Sequence, residues 1–424
     1  MKSLIVLAFA LSSILSNAQL NYEDFFIDKS LRIDYIHAGN STSEQVYFEQ
    51  LKEEPYFGGS KINLLDTFNY GEYKAIVIDS ATKTPIYSHN YCTLFEEWQI
   101  TDEAKNISRS FYESVSIPFP KYTIIFELLS RNKENIFVKI FEYTVNPKNK
   151  FIIKNDLEKY PVLKIHESGL SENKVDIVFI PDGYTLDKMA DFEKDAHKFK
   201  QYLFNSSPYK ENIDKFNISA VLVPSVEEGT DIPSENIWKY TTINTSFYTF
   251  DSERYLMTYD YLKVKDVAAN TPYDQIVIIV NTKKYGGGGI YNYYSTFAAD
   301  NEDTEFLFIH EFGHAFAGLG DEYFDSSTPY QSFYSSKYEP WQPNLTNLSD
   351  FNSKWKKMMD KNQPIPTPIS EENKQKLGVY EGGGYVSKGI YRPFIDCTMK
   401  SIIVNGFCPV CQYTIGKMIR FYSK

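Results

Sequence analysis

The sequence lacks features that would each point to a particular class of protein. It has 44 Lys and Arg against 55 Asp and Glu, a formal charge of −11, and its basic residues form no cluster. Nucleic-acid binders usually present a basic face, so we expect no nucleic-acid partner. Beyond the N-terminus no apolar run approaches the roughly 20 residues of a membrane helix, so we expect no transmembrane span. No internal repeat is evident.

The N-terminus has the layout of a secretory signal peptide. Met1-Lys2 gives a short basic start, residues 4–15 form an apolar run, and Ser16-Asn17-Ala18 offers small residues for cleavage. An uncleaved anchor or a buried helix is the alternative, although the run is too short to span a bilayer. We expect residues 1–18 to be a signal peptide and the protein to be exported to the periplasm, the cell surface or the medium.

Cysteine is scarce, with four in 424 residues. Cys92 stands alone, whereas Cys397, Cys408 and Cys411 cluster near the C-terminus. A structural zinc site needs four ligands, and no His lies near this cluster in the sequence. Export permits disulfides, so we predict a disulfide of Cys397 with Cys408 or Cys411, the exact pairing being open.

The first half of the chain is rich in β-prone sequence. At 424 residues two or three domains are expected, and aromatic residues make up 16% of the chain. Short β-branched segments such as 74–79, 121–126 and 135–141 are separated by turn residues. Such spacing predicts an all-β sandwich domain over residues 19–162. A role of this domain in binding glycan or protein would rest on fold analogy alone.

The pattern changes near residue 163. Residues 174–180 form a nearly continuous apolar run, as expected for a buried strand in a sheet that helices cover. An amphipathic helical pattern follows at 186–204, and further strand patterns lie at 218–223 and 274–280. Alternation of strands and helices predicts a domain of the α/β (α+β) class over residues 163–424.

The motif that carries chemistry is His310-Glu311-Phe-Gly-His314. Its two histidines are four residues apart, so a helix places both rings on one face, where they can reach one zinc at about 2.0–2.1 Å. Glu311 then lies beside the metal, placed as general base toward a zinc-activated water. Two histidines on a solvated helix without metal are the alternative. The flanking residues are apolar and the chain has only six His, which favours one zinc per chain.

A third zinc ligand must come from outside this helix. Gly318 and Gly320 break the helix and let the chain turn back, which places Asp321 for the role. Glu322 is the close competitor, although a shorter side chain suits a tight turn better. Downstream, Met399 follows Cys397 and Thr398 in a turn like the one that lies below the zinc in metzincin proteases; an ordinary core methionine is the alternative.

The stretch from His310 to Tyr323 resembles the active-site segment of the M64 peptidase family, known for immunoglobulin A peptidase. Residues 175–184, 391–393, 397–399 and 407–411 are similar to that family too. The resemblance covers about residues 166–424, and the first half resembles, more weakly, the sandwich that precedes such domains.

This resemblance implies a zincin-like catalytic domain, with zinc on His310, His314 and Asp321 and with Glu311 as base. The spacing departs from the metzincin pattern, because the glycine comes one residue later and the last ligand is Asp. No Tyr stands two residues after Met399 either. Candidates for transition-state stabilisation are therefore Tyr391, Tyr385 and Arg392.

The sequence thus predicts a secreted zinc metalloendopeptidase that hydrolyses extracellular proteins or peptides. Immunoglobulin as substrate is implied by the family name alone. A zinc aminopeptidase is one alternative, and it would need a carboxylate that captures the free amine of the substrate. A catalytically silent binding protein is another, which the intact His310, Glu311 and His314 disfavour.

Overall fold

The computed structural model of the chain describes residues 20–154, 156–324, 334–402 and 406–423. The predicted signal peptide lies outside the described residues. Within these ranges no helix combines the length and apolarity needed to cross a membrane. An all-β region comes first and a mixed α/β domain follows, which confirms the predicted fold class.

Seven strands and two short helices build the described part of the all-β region. The strands are β1 (Phe26–Asn40), β2 (Ser43–Glu54), β3 (Tyr73–Asp79), β4 (Pro85–Tyr91), β5 (Arg109–Pro120), β6 (Ile124–Arg131) and β7 (Phe137–Val145). The helices are α1 (Tyr22–Phe25) and α2 (Leu94–Gln99). The strands form two antiparallel sheets, ordered β2-β1-β5 and β4-β3-β6-β7.

The two sheets enclose one apolar core. In β3 the residues alternate between buried and half-buried positions, so that Tyr73, Ala75 and Val77 face inward. Ile33 and Val115 of the other sheet belong to the same core. Alternation with one dry face is the pattern that sandwich strands require.

The described part of the mixed domain holds eight further strands and four helices. The strands are β8 (Val162–His166), β9 (Val175–Asp182), β10 (Phe216–Val221), β11 (Gln275–Val280), β12 (Gly287–Gly289), β13 (Ser295–Ala298), β14 (Tyr380–Gly383) and β15 (Val386–Arg392). The helices are α3 (Met189–Asn205), α4 (Tyr261–Ala268), α5 (Thr304–Ala317) and α6 (Pro409–Tyr422).

Six of these strands form the central sheet, in the order β12-β13-β11-β9-β10-β8. The inner strands run parallel and the two edge strands antiparallel. Strand β9 is buried at every position, as its apolar sequence predicted for a strand covered on both faces. Strands β14 and β15 form a separate hairpin.

The all-β region packs firmly against the mixed domain. The guanidinium of Arg32 in β1 donates to the carboxylate of Asp266 in α4 at 2.7 Å. Helix α2 contributes Leu94, Phe95 and Trp98 to the core of the mixed domain rather than to the sandwich core. The first half of the chain therefore reaches into the part of the molecule that holds the predicted motif.

Candidate metal centre

Helix α5 carries the His-Glu-x-x-His motif and ends directly after it. Leu307, Phe308 and Phe312 bury its apolar side, which holds the helix in the core. Gly318 closes the helix at φ +61°, a left-handed conformation that favours glycine, and its N–H donates to the His314 carbonyl at 3.0 Å. The chain turns there and returns toward the two imidazoles.

Both histidine rings are fixed in the orientation that a metal requires. Nδ1 of His310 lies 2.9 Å from the carbonyl oxygen of Thr398, and Nδ1 of His314 lies 2.6 Å from that of Leu319. Because a carbonyl oxygen only accepts, each Nδ1 carries the hydrogen. In the neutral rings each Nε2 then exposes a lone pair, and the two Nε2 atoms stand 3.1 Å apart.

Asp321 completes a cluster of three electron-pair donors. Its Oδ1 lies 3.0 Å from Nε2 of His310 and 3.3 Å from Nε2 of His314. Ligand atoms held tetrahedrally at about 2.0–2.1 Å from one zinc would stand about 3.3 Å apart. Asp321 is buried, and its Oδ1 finds no hydrogen-bond partner among the described residues. The residues therefore fit a metal ion.

The electrostatics of this cluster favour a cation. Burial alone would lower the pKa of His314, but the charge of Asp321 overcomes it and raises that pKa to about 9. In the same way burial would raise the pKa of Asp321, whereas His314 and His310 hold it well below its usual range. The carboxylate thus creates a negative potential between the rings, where protons or a divalent ion can compensate it.

The hairpin of β14 and β15 positions the carboxylate of Asp321. Gly384 N–H donates to the Asp321 carbonyl at 2.8 Å, and Tyr385 N–H donates to the Tyr323 carbonyl at 3.0 Å. The hydroxyl of Tyr385 donates to Oδ2 of Asp321 at 2.5 Å. This bond occupies one carboxylate oxygen and leaves Oδ1 directed at the histidines, as the partners of metal ligands commonly do.

Comparison with family profiles identifies the chain. The profile described as IgA Peptidase M64 matches residues 163–377 and 371–419, and the Peptidase M64 N-terminus profile matches residues 21–142. The chain belongs to the M64 peptidase family. The predicted resemblance is thereby confirmed, and membership makes the protein a metallopeptidase that acts on protein substrates. A comparison with curated proteins found no match.

In this M64 peptidase Met399 lies in a turn that packs against helix α5. It is fully buried, and a Cβ placed at Gly313 of α5 would lie 3.0 Å from its Sδ. The preceding residue, Thr398, is the one whose carbonyl orients His310. The carbonyl of Met399 accepts from Glu322 N–H at 2.8 Å. The turn thus contacts both the helix and the segment that supplies the carboxylate.

The sequence suggested three residues for transition-state stabilisation. Of these, only Tyr385 has a hydrogen bond to a candidate metal ligand in the described part of the chain. Tyr391 exchanges backbone hydrogen bonds with Thr346. Arg392 is buried, and its guanidinium donates to the carbonyls of Glu381 and Gly382. Both residues therefore support the hairpin, and the structure does not bring them to the three ligands.

The predicted disulfide is absent from the structure. Cys397, Cys408 and Cys411 are free thiols, and the Sγ of Cys411 lies 3.9 Å from that of Cys397 and 3.5 Å from that of Cys408. A disulfide needs about 2.05 Å. The three thiols instead converge on Glu322, whose Oε1 lies 3.4 Å from the Cys411 sulfur. Glu322 thus points away from the histidines, and of the two acidic residues only Asp321 joins them.

Two charged residues near the site were missed by sequence reasoning. Glu97 of α2 accepts a hydrogen bond from the Tyr255 hydroxyl. Burial raises the pKa of Glu97 to about 7; the hydrogen bond lowers this pKa, and the charge of Glu311 raises it further. The side chain of Arg254 is exposed to solvent. The surrounding protein partly desolvates its guanidinium, which alone would lower the pKa, but Tyr323 and nearby groups including Glu311 raise the pKa of Arg254. Neither residue stands in a recognisable motif, so no sequence signal could have located them.

Proposed function

We propose that this M64 peptidase is a secreted zinc endopeptidase that cleaves extracellular proteins. His310, His314 and Asp321 hold one zinc ion, and Glu311 is the general base. The proposal rests on family membership, on the arrangement of the three ligands and on the signal-peptide pattern of residues 1–18.

One observation supports the metal assignment above all others. Both imidazoles donate through Nδ1 to backbone carbonyls, so in the neutral rings both Nε2 lone pairs face the carboxylate of Asp321. Three electron-pair donors within 3.3 Å repel one another unless a proton or a metal ion lies between them. Nitrogen and carboxylate oxygen are ligands that zinc commonly takes, and three protein ligands leave a position open for chemistry.

When bound, the zinc supplies Lewis-acid polarisation of the scissile carbonyl and lowers the pKa of water. The chain supplies the proton transfer. Glu311 directly follows His310 on α5, and its side chain is half-buried. Its carboxylate takes a proton from the attacking water as the water oxygen bonds to the carbonyl carbon. It then gives a proton to the amine nitrogen as the C–N bond breaks.

Arg254 and Tyr385 act around this reaction in different ways. Tyr385 holds Asp321 through its hydroxyl, which makes it a positioning residue. Arg254 is an exposed cation whose pKa is raised by Tyr323 and by Glu311, and it can bind a carbonyl or carboxylate oxygen of the substrate. Charge-assisted contacts of this kind orient a peptide for attack.

The test compares the purified wild type with Glu311→Gln in zinc analysis and casein cleavage. Glu305→Gln is the matched control, because Glu305 lies on the same helix with an exposed side chain. We expect zinc in all three proteins, cleavage by the wild type and the control only, and loss of cleavage with a chelator. Cleavage that persists in Glu311→Gln would refute the role of Glu311. Zinc without cleavage in the wild type would favour a silent binding protein.

The structure also gives the aminopeptidase alternative a specific residue. Such an enzyme needs a carboxylate near the metal to bind the free α-amine, and Glu97 is close enough to Glu311 and His314 for their charges to act on its pKa. Paired peptides that differ only in N-terminal acetylation distinguish the two activities. An endopeptidase cleaves both at internal bonds, whereas an aminopeptidase releases single residues from the free peptide and loses this activity in Glu97→Gln.

Export is tested separately by sequencing the N-terminus of the protein recovered from its producing cell. The small residues at 16–18 predict a mature chain that begins at Gln19. An intact Met1 on the mature protein would contradict export through this segment.

A further inference from the structure

We propose that Cys397, Cys408, Cys411 and Glu322 bind a second, structural zinc ion next to the candidate catalytic centre. One ligand atom from each, three sulfurs and a carboxylate oxygen, lie within 4.8 Å of one another. All four side chains are buried, and three of them are fully buried. None of them belongs to the candidate catalytic ligand set, so the proposal stands independently of the proposed function.

The separations between the ligand atoms suit a shared tetrahedral ion. Around one zinc with bonds of about 2.3 Å to sulfur, two sulfurs stand about 3.8 Å apart, and a sulfur and a carboxylate oxygen about 3.6 Å. The sulfur of Cys411 lies 3.9 Å from that of Cys397 and 3.5 Å from that of Cys408. Oε1 of Glu322 lies 3.4 Å from the same sulfur.

Glu322 provides independent support for a cation at this cluster. It is fully buried, and its Oε2 has no hydrogen-bond partner among the described residues. The side-chain amide of Asn344 donates to Oε1 at 2.9 Å and fixes the orientation of the carboxylate. A buried carboxylate whose second oxygen has no donor is costly, and the positive charge of a metal ion at the cluster would offset that cost.

The local sequence provides the backbone geometry for thiolate ligands. Cys408 is the N-cap of α6 and Cys411 lies in its first turn, a spacing of two intervening residues that structural zinc sites share. The positive end of the helix dipole stabilises anionic sulfur at this place. The backbone N–H of Cys408 also donates to the sulfur of Cys397 at 3.2 Å.

A buried cation offsets part of the excess negative charge of such a site. Three thiolates and one carboxylate exceed the charge of zinc by two. Arg392 is buried, and its guanidinium donates to backbone carbonyls, with no ion pair in the described ranges of the chain. It lies near Glu322, since a Cβ built on Gly383 would be 3.7 Å from Cβ of Arg392 and 3.9 Å from Cα of Glu322. Arg392 therefore places a positive charge close to the segment that carries Glu322.

The second ion would stabilise the catalytic centre through the segments next to its ligands. Cys397 precedes Thr398, whose carbonyl orients His310, and Glu322 follows Asp321. An ion bound by these two segments and by α6 would keep His310 and Asp321 in position. Loss of such supporting contacts typically weakens metal binding by about 10- to 100-fold, and we expect a loss of this size at the histidine site.

The test counts metal in the purified full-length chain and identifies its ligands with cobalt. We expect two zinc ions per chain in the wild type, one in the double variant His310→Ala/His314→Ala, and one in Cys408→Ser at saturating zinc. Cobalt replacement should give a thiolate-to-cobalt charge-transfer band in the wild type and in the double histidine variant, and none in Cys408→Ser. Cys92→Ser is the control and should change neither result, because Cys92 is buried outside the cluster.

If Cys408→Ser does not fold, Glu322→Gln replaces it in the test. This variant retains all three thiols and should weaken the binding of cobalt at the thiolate site. An intact mass two hydrogens below that of the reduced chain, with no thiolate band, would show a disulfide and overturn the proposal. A wild type that keeps the band but lacks zinc on the histidines would instead refute the proposed function alone.

Discussion

Replacing Tyr385 by Phe tests whether this tyrosine positions a ligand or acts on the substrate. The change removes only the hydroxyl that donates to Oδ2 of Asp321 at 2.5 Å. A hydrogen bond to a charged group contributes about 1.5–3 kcal/mol. Part of this contribution is present without metal, so we expect zinc binding to weaken by roughly 10- to 100-fold, the range seen for such supporting residues. At saturating zinc the turnover number should be little changed.

The assay is a competitive zinc titration with a chromophoric chelator, followed by peptide cleavage at saturating zinc. Tyr391→Phe is the matched control, because Tyr391 lies on the same hairpin and has no hydrogen bond to a candidate ligand among the described residues. We expect its zinc affinity and its turnover to equal those of the wild type.

The opposite result would refute this reasoning. If Tyr385→Phe binds zinc as tightly as the wild type but turns over far more slowly, the hydroxyl stabilises the transition state, which is the role that the sequence suggested. The hydrogen bond to Asp321 would then describe the resting enzyme only, and the hydroxyl would move to the substrate during the reaction.

Other predictions concern stability and substrate binding. Burial alone would lower the pKa of His37, but hydrogen-bonded Glu113 raises it to about 9, above its ordinary value near 6.5. The roughly 3 kcal/mol that this contributes is present below about pH 6.5 and lost as the pH rises to 9. His37→Gln should therefore flatten the alkaline fall of the melting temperature measured by calorimetry, and an unchanged slope would contradict the assignment. Gly318→Ala should destabilise the chain by about 1–2 kcal/mol in thermal melts, because of its left-handed backbone, while Gly416→Ala inside α6 should not destabilise it. Arg254→Ala should raise the KM for peptides about tenfold without changing zinc content, and an unchanged KM would exclude its contact with substrate.

The fold was predictable wherever the hydrophobic pattern is strong. Strand β9 is apolar throughout and buried throughout, and β3 alternates as a strand with one dry face does. Boundaries were less accurate: the segment predicted at 121–126 becomes a strand only at Ile124, since Lys121 to Thr123 connect β5 to β6. The packing of α2 into the mixed domain could not be predicted, because it depends on tertiary contacts that leave no local signature.

The site was predictable where its spacing is local and not where it depends on distant segments. His310 and His314 are joined by one helical turn, so four residues of sequence suffice to place them together. Thr398 and Glu97 come from far along the chain, and only the fold brings them to this helix. The disulfide prediction for the cysteine cluster was wrong for the same reason. The fourth member of the cluster, Glu322, lies far from the three cysteines in sequence.

Asp321 and Glu322, the two acidic residues between which the sequence left the third ligand open, belong to different clusters in the structure. The carbonyls of Asp321 and Tyr323 both accept from N–H groups of the hairpin, whereas the N–H of Glu322 between them donates to the Met399 carbonyl on the other side. This alternation indicates an extended segment. Consecutive side chains of an extended chain point in opposite directions. One carboxylate therefore faces the histidines and the next faces the cysteines. Two acidic residues that look redundant in the sequence are what allow one short segment to connect two candidate metal sites.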